Sequence, residues 1–298
     1  MLVGHKWVRY DLGKNLGISA LNETNGTMKK LLIIISLLLP FYGICEEQSD
    51  ELDDKFAWQL SVGAFYVDMT MPALIGTDST FKHGTFLVDA KIEYKNFYLN
   101  THSGDFFGGS DVGYQIINNG EWGIDAIYGS YMLPFSERGY YDTNDVVPEL
   151  RGIRKREQDN SMGFSYYRHI GEFLAIAEIV YDVFGDTNGW VFHFEATRNF
   201  ELRNWDLWLN FGANYYSSNF YNYFYGVSEA EVNDYLTPYK PGASASTFVQ
   251  MQLNYPIAEN WVFSTGASWL VGSQDSLNSP LVRSRHARVF FTGVKYVF

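Results

Sequence analysis

From residue 56 onward, apolar and polar residues alternate at every second place, in segment after segment. In NWDLWLNFGANYY (204–216) the set Trp205, Leu207, Leu209, Phe211, Ala213, Tyr215 interleaves with Asp206, Trp208, Asn210, Gly212, Asn214, Tyr216. In STFVQMQLNY (246–255), Val249, Met251, Leu253 and Tyr255 oppose Ser246, Gln250, Gln252 and Asn254. HARVFFTGVKYVF (286–298) sets Phe290, Thr292, Val294, Tyr296 and Phe298 on one face and is read as placing Arg288, Gly293 and Lys295 on the other. A two-residue period is that of a strand with one apolar face. Strands of about ten residues exceed those of ordinary soluble sheets and suit a tilted membrane crossing.

The pattern places strands near 56–67, 85–94, 97–103, 111–118, 121–132, 160–169, 172–183, 188–200, 204–216, 245–255, 260–271 and 287–298. The short connections EYKN, NNGE, RHIGE, NFELRN and PIAEN alternate with longer ones, of which FGDTNG is the smallest. Such alternation predicts an all-β fold, a transmembrane antiparallel up-and-down β-barrel of about 12 strands (10–14), with short periplasmic turns and long extracellular loops. In this threading Trp58, Trp122, Trp205 and Trp261 fall at the periplasmic rim and Trp190 and Trp269 at the outer rim, as two aromatic girdles. In lipid every backbone polar group must pair, so the last strand must close on the first.

Ahead of the strands, Met28-Lys29-Lys30 precedes the apolar run LLIIISLLLPF (31–41), too short to span a bilayer as a helix. The expectation is an upstream extension over 1–27, a signal peptide over 28–45 cut after Cys45, an acidic periplasmic lead over 46–55 and a barrel over 56–298. A rival reading makes Cys45 a lipidated residue. Residues 1–45 hold five of the 22 bases and two of the 34 acids, so the mature chain has 17 against 32, a net charge of −15. Its sole cysteine also goes, so burial and hydrogen bonding alone stabilise the exported chain. That acidity excludes nucleic acid as a partner. Aromatics make up 18% of residues, yet mean hydropathy is −0.17, because polar residues dilute the apolar ones.

No catalytic, cofactor or metal motif stands out. His83, His102, His169, His193 and His286 are scattered singly, without the close pairing of a zinc site. Ser79 and His83 share a loop, but no nucleophile-elbow frame surrounds them. Glu178, Asp182, His193, Glu195, Asp206, Arg288 and Lys295 are read onto the inward face. Charges at membrane depth must face water or one another. They therefore form either a pore lining or an internal salt-bridge network, and the bulky inward residues Trp208 and Phe291 favour a narrow or plugged lumen.

Several stretches resemble the MipA/OmpV family of outer-membrane proteins: LRGIRKR (150–156), FGDTNGW (184–190), YFYGVSEAE (223–231) and NSPLV (278–282), with MPALIGTD (71–78) more loosely. The terminal Val294, Tyr296 and Phe298 resemble the signal read by the barrel-assembly machinery. The resemblance implies a non-enzymatic protein of the Gram-negative outer membrane, embedded in its lipid. It further implies a scaffold that joins a lytic transglycosylase to a peptidoglycan synthase. A small-solute channel lined by the inward charges is the alternative, and an outer-membrane hydrolase a third.

Overall fold

The computed structural model describes residues 56–78, 80–101, 109–142 and 145–298. The expected upstream extension, signal peptide and acidic lead (1–55) lie outside the described residues. Twelve strands form a closed antiparallel barrel: β1 (Phe56–Thr70), β2 (Thr80–Tyr94), β3 (Phe97–Thr101), β4 (Gly109–Asn118), β5 (Trp122–Ser130), β8 (Ser161–Ile170), β9 (Phe173–Asp182), β10 (Trp190–Leu202), β11 (Trp205–Tyr216), β12 (Ser244–Ala258), β13 (Trp261–Gly272) and β14 (His286–Val297). Neighbours in sequence pair throughout, and β1 pairs β14 from Ser61↔Val297 to Thr70↔Arg288, so no barrel edge is left open at that seam. A small hairpin, β6 (Phe135–Ser136) with β7 (Gly139–Tyr140), stands apart from the barrel.

The strands are tied at one end by two-residue hairpins such as Lys95-Asn96 and Arg203-Asn204, with Lys95 (φ 54°) and Arg203 (φ 60°) in the left-handed region that matches strand twist. Two boundaries differ from those read in the sequence. β1 and β2 reach Thr70 and Thr80, because Asp68, Thr70, Thr80 and Lys82 hold cross-strand pairs into a stretch read as loop. β12 runs through Pro256 to Ala258, where PIAEN reads as a turn, and the register slips between those two residues. A bulge is where a proline without an N–H can be carried.

Lipid-facing positions are apolar and exposed, as at Phe86, Val88, Phe164, Ile179, Phe192 and Phe211. Lumen-facing positions pack rings over glycines. The Phe65 ring lies over Gly63 and Gly293, and the Phe291 ring over Gly266, so closely that a β-carbon there would overlap the ring. Phe65 and Phe291 then meet edge to face with centroids 5.9 Å apart, and together with Phe248 and Val289 they form a buried wall cluster.

The largest core is built mainly by the connections, packed against inward strand residues such as Ile127, Val180 and Val191. The long connections fold inward, bringing Leu74, Phe135, Leu150, Phe220, Phe224, Leu236 and Leu281 together, each at most 3% exposed. A helix, α1 (Ser218–Tyr225), supplies five buried aromatics and is capped by the Ser217 side chain. α2 (Gln274–Asn278) and short 3-10 turns at Pro148–Leu150 and Glu229–Glu231 complete this plug.

Candidate functional site

The lumen is layered: the plug, a band of paired polar groups, and an inner end where side chains are again exposed. In the band, His193 is 3% exposed. Its Nδ1 lies 2.6 Å from Asn214 Oδ1, and its Nε2 3.7 Å from Glu195 Oε2. Its ring stacks on Phe248 with centroids 5.7 Å apart. Asn210 donates to Glu195 Oε2 (2.9 Å) and Gln250 Oε1 (3.2 Å), and the Tyr131 hydroxyl donates to Glu178 Oε2 (2.7 Å). These groups come from β9 to β12 and the start of the long loop after β5. The alternation of each strand aims them inward.

A second cluster bridges the closure seam. Lys295 Nζ lies 2.8 Å from Asp89 Oδ2, and Ser61 Oγ donates to the same oxygen at 3.0 Å. Lys295 of β14 reaches Asp89 of β2 across β1 at Gly63, whose missing side chain leaves room for the lysine stem. Both groups are largely withdrawn from solvent, so removing one charge exposes the desolvation cost of the other. Lys295→Met is expected to lower stability by about 2 kcal/mol, read as an earlier midpoint in urea unfolding followed by tryptophan fluorescence. An unchanged midpoint would mean that Asp89 is fully solvated.

The structure places the sequence-derived charges unequally. Glu178, His193, Glu195 and Lys295 face the lumen in the two clusters. Asp206 has the inward parity of Asn214 but sits at the exposed inner end beside Asn254. Asp182, 2% exposed, is bound into the 183–189 connection, accepting from the N–H groups of Phe184, Gly185, Thr187 and Asn188 and from Thr187 Oγ1. It organises that turn rather than lining a passage. Arg288 corrects the sequence reading: it shares parity with Phe290, points outward opposite Trp269, and donates from Nε to Thr70 Oγ1 at 3.2 Å. Two-residue alternation cannot place Arg288 and Lys295 on one face.

Val294 and Tyr296 share the outward face of β14, and Phe298 follows them at the inner edge. Tyr296 packs between Trp261 (5.2 Å) and Phe298 (4.9 Å) and accepts from Asn260 Nδ2. Trp58, Trp122, Trp205 and Trp261 lie at or near the starts of β1, β5, β11 and β13, at the end with the short turns. Trp190 and Trp269 lie at the end with the long loops.

Sequence reading missed the ion pair that locks the plug. Arg156, 1% exposed, donates from Nη1 to Glu231 Oε1 (2.7 Å) and from Nη2 to Gly226 O (2.9 Å). Glu231 also accepts from Arg154 N–H and from Ser228 N–H and Oγ. Burial opposes its ionisation, but the Arg156 hydrogen bond and the bonds from Ser228 and Arg154 outweigh it and bring the carboxyl down to about 2. Seventy-five residues separate the two partners, so no local pattern announces them. Asp89 was legible in principle, by the same parity that exposed Glu178.

The family model described as "MltA-interacting protein MipA" matches residues 51–298. The chain belongs to this family. The putative outer membrane protein YiaT of Escherichia coli (strain K12) is 27% identical over 158 residues, covering 53% of this chain and 63% of that protein. The outer membrane protein OmpV of Vibrio cholerae is 24% identical over 158 residues, covering 53% and 61%. The matched region thus spans about three fifths of the length of these relatives. Among solved structures, a loop-deletion form of OmpT of Vibrio cholerae is 9% identical, covers 82% of this chain and 99% of that one, and has a TM-score of 0.37. As a closed barrel of the MipA family, whose relatives are named as outer-membrane proteins, this chain resides in the outer membrane.

Proposed function

We propose that this MipA-family barrel is a sealed, non-enzymatic scaffold that holds peptidoglycan-remodelling enzymes, a lytic transglycosylase and a synthase, at its periplasmic edge. The observation that carries this reading is the plug. A lumen whose outer half is filled by a fully buried core, from Leu74 to Leu281, serves presentation of a surface better than passage of solutes. The family takes its description from interaction with MltA. The edge available for such a contact carries the five tight turns, among them Lys95-Asn96, Gly171-Glu172, Arg203-Asn204 and Glu259-Asn260. Val294, Tyr296 and Phe298 act earlier, as the signal that the barrel-assembly machinery reads.

The second reading, a small-solute channel, draws on the inner lumen, where Lys91 and Glu93 are exposed and paired at 2.8 Å. Cross-linking in intact envelopes, followed by capture of this protein, separates the two. Enrichment of a lytic transglycosylase or a peptidoglycan synthase over an unrelated barrel is the expected result. Capture of the assembly machinery alone would sink the scaffold. A planar-bilayer conductance that changes with Glu195→Ala or Lys295→Ala would then establish the channel.

A further inference from the structure

A cavity of about 480 Å³ lies between the plug and the long-loop ends of β1, β13 and β14. That is within the range of small-molecule sites, about 300–1,000 Å³. Its walls are mostly apolar, with Met69, Met71 and Met132 on one side and Tyr216, Tyr221 and Tyr225 of β11 and α1 on another. Methionine walls adapt to ligands of varied outline, because the thioether chain is unbranched and polarisable.

One polar group in this wall is poorly served. The Tyr225 hydroxyl sits in a buried residue, and its partner among the described residues is the Met132 sulfur at 3.9 Å. A thioether is a weak acceptor, so the phenol forgoes most of the hydrogen bond it would have in water. Burial holds this phenol well above its usual value, so it remains a donor at any physiological pH. The neighbouring tyrosines are occupied: Tyr216 shares its proton with Ser246 (3.2 Å), and Tyr131 donates to Glu178.

We propose that the cavity binds a small, uncharged molecule with an apolar or aromatic body and one oxygen acceptor, which takes the Tyr225 hydroxyl. A positive charge is disfavoured by the mostly apolar lining, to which no carboxylate contributes, and a negative one by the groups beyond it. There Glu178 and the buried Asp159 stand behind Tyr131, Asp159 accepting from the Tyr131 N–H at 2.9 Å. Two carboxylates in a region of low dielectric disfavour an anion. The cation at the cavity, Arg285, is turned to Gln274 Oε1 (3.3 Å).

The test uses the folded protein in detergent and two fluorinated probes, 4-fluoroacetophenone and 4-fluorobenzoate. Binding is read by fluorine NMR line width against protein-free micelles, and folding by the heat-dependent shift in gel mobility. The neutral ketone is expected to bind, about fivefold more weakly in Tyr225→Phe for the loss of one neutral hydrogen bond, and at least tenfold more weakly in Met71→Trp, which fills the cavity. Tyr225→Phe preserves volume and fold, so the argument survives if Met71→Trp does not assemble. Tighter binding of the benzoate, abolished in Arg285→Gln, would overturn the uncharged class. Binding of neither probe, or ketone binding indifferent to Tyr225→Phe, would overturn the site.

Discussion

Glu231→Ala is expected to cost about 3–5 kcal/mol of plug stability while leaving the barrel closed. The substitution leaves the Arg156 guanidinium inside the plug at 1% exposure without its carboxylate, and removes the acceptor for Arg154 N–H and Ser228. An uncompensated buried charge is the costly element here, more than the loss of attraction itself. The readout is protease cleavage within 131–160 and 217–243 on protein whose gel mobility still shows a folded barrel. Cleavage should accelerate at least tenfold. The double variant Arg156→Met with Glu231→Leu should recover most of the protection, because it removes both charges from the apolar surroundings. Protection unchanged in Glu231→Ala would mean that apolar packing alone holds the plug.

The same pair sets an acid limit. Glu231 has an ordinary value near 4.5 and is brought down to about 2 in the folded chain. A depressed carboxyl contributes stability that is fully present above the ordinary value and is lost as pH falls through the folded one. The plug should therefore loosen between about pH 4.5 and 2, and Glu231→Gln should flatten that part of the profile. A profile of the same slope in wild type and Glu231→Gln would assign the acid response to another carboxylate.

The barrel was legible because lipid imposes a simple rule on every strand: apolar out, anything that fits in. Alternation therefore gave twelve strands and their parity, and the inward placement of Glu178, His193, Glu195 and Lys295 followed. Arg288 failed as a matter of counting, since a residue seven places from Lys295 must face the other way. The plug was not legible, because its contacts join separate loops. LRGIRKR, YFYGVSEAE, NSPLV and MPALIGTD carry the family resemblance, yet nothing in their spacing says that they meet. In the structure Arg156 binds Glu231 and Gly226, Ser279 Oγ donates to Tyr225 O (2.6 Å), and Ile75 N–H donates to Leu281 O (2.9 Å). Four of the five stretches that resemble the family thus lie in the plug, while FGDTNGW forms the turn around Asp182.

Gly293→Val is expected to abolish barrel closure, with at least tenfold less folded protein in the outer membrane. Gly293 of β14 pairs with Phe65 of β1 and Ser264 of β13, at the seam that joins the ends of the sheet. A β-carbon there would press on the Ala64 carbonyl oxygen and on the Phe65 ring, which is itself pinned against Phe291. A backbone carbonyl cannot step aside as a side-chain tip can. β1 and β14 would therefore have to separate, leaving unpaired N–H and C=O groups in lipid at several kcal/mol each. Because Gly293 neighbours the assembly signal, a loss in cells alone would be ambiguous. Refolding urea-denatured protein into lipid vesicles removes the machinery: Gly293→Val should still fail there, whereas Tyr296→Ala should fail in cells and refold in vesicles. Phe65→Ala should partly restore Gly293→Ala, since it removes the ring and leaves the carbonyl. Efficient refolding of Gly293→Val would show that the seam tolerates a side chain, and closure would then depend on the signal residues instead of on the glycine between the two strands.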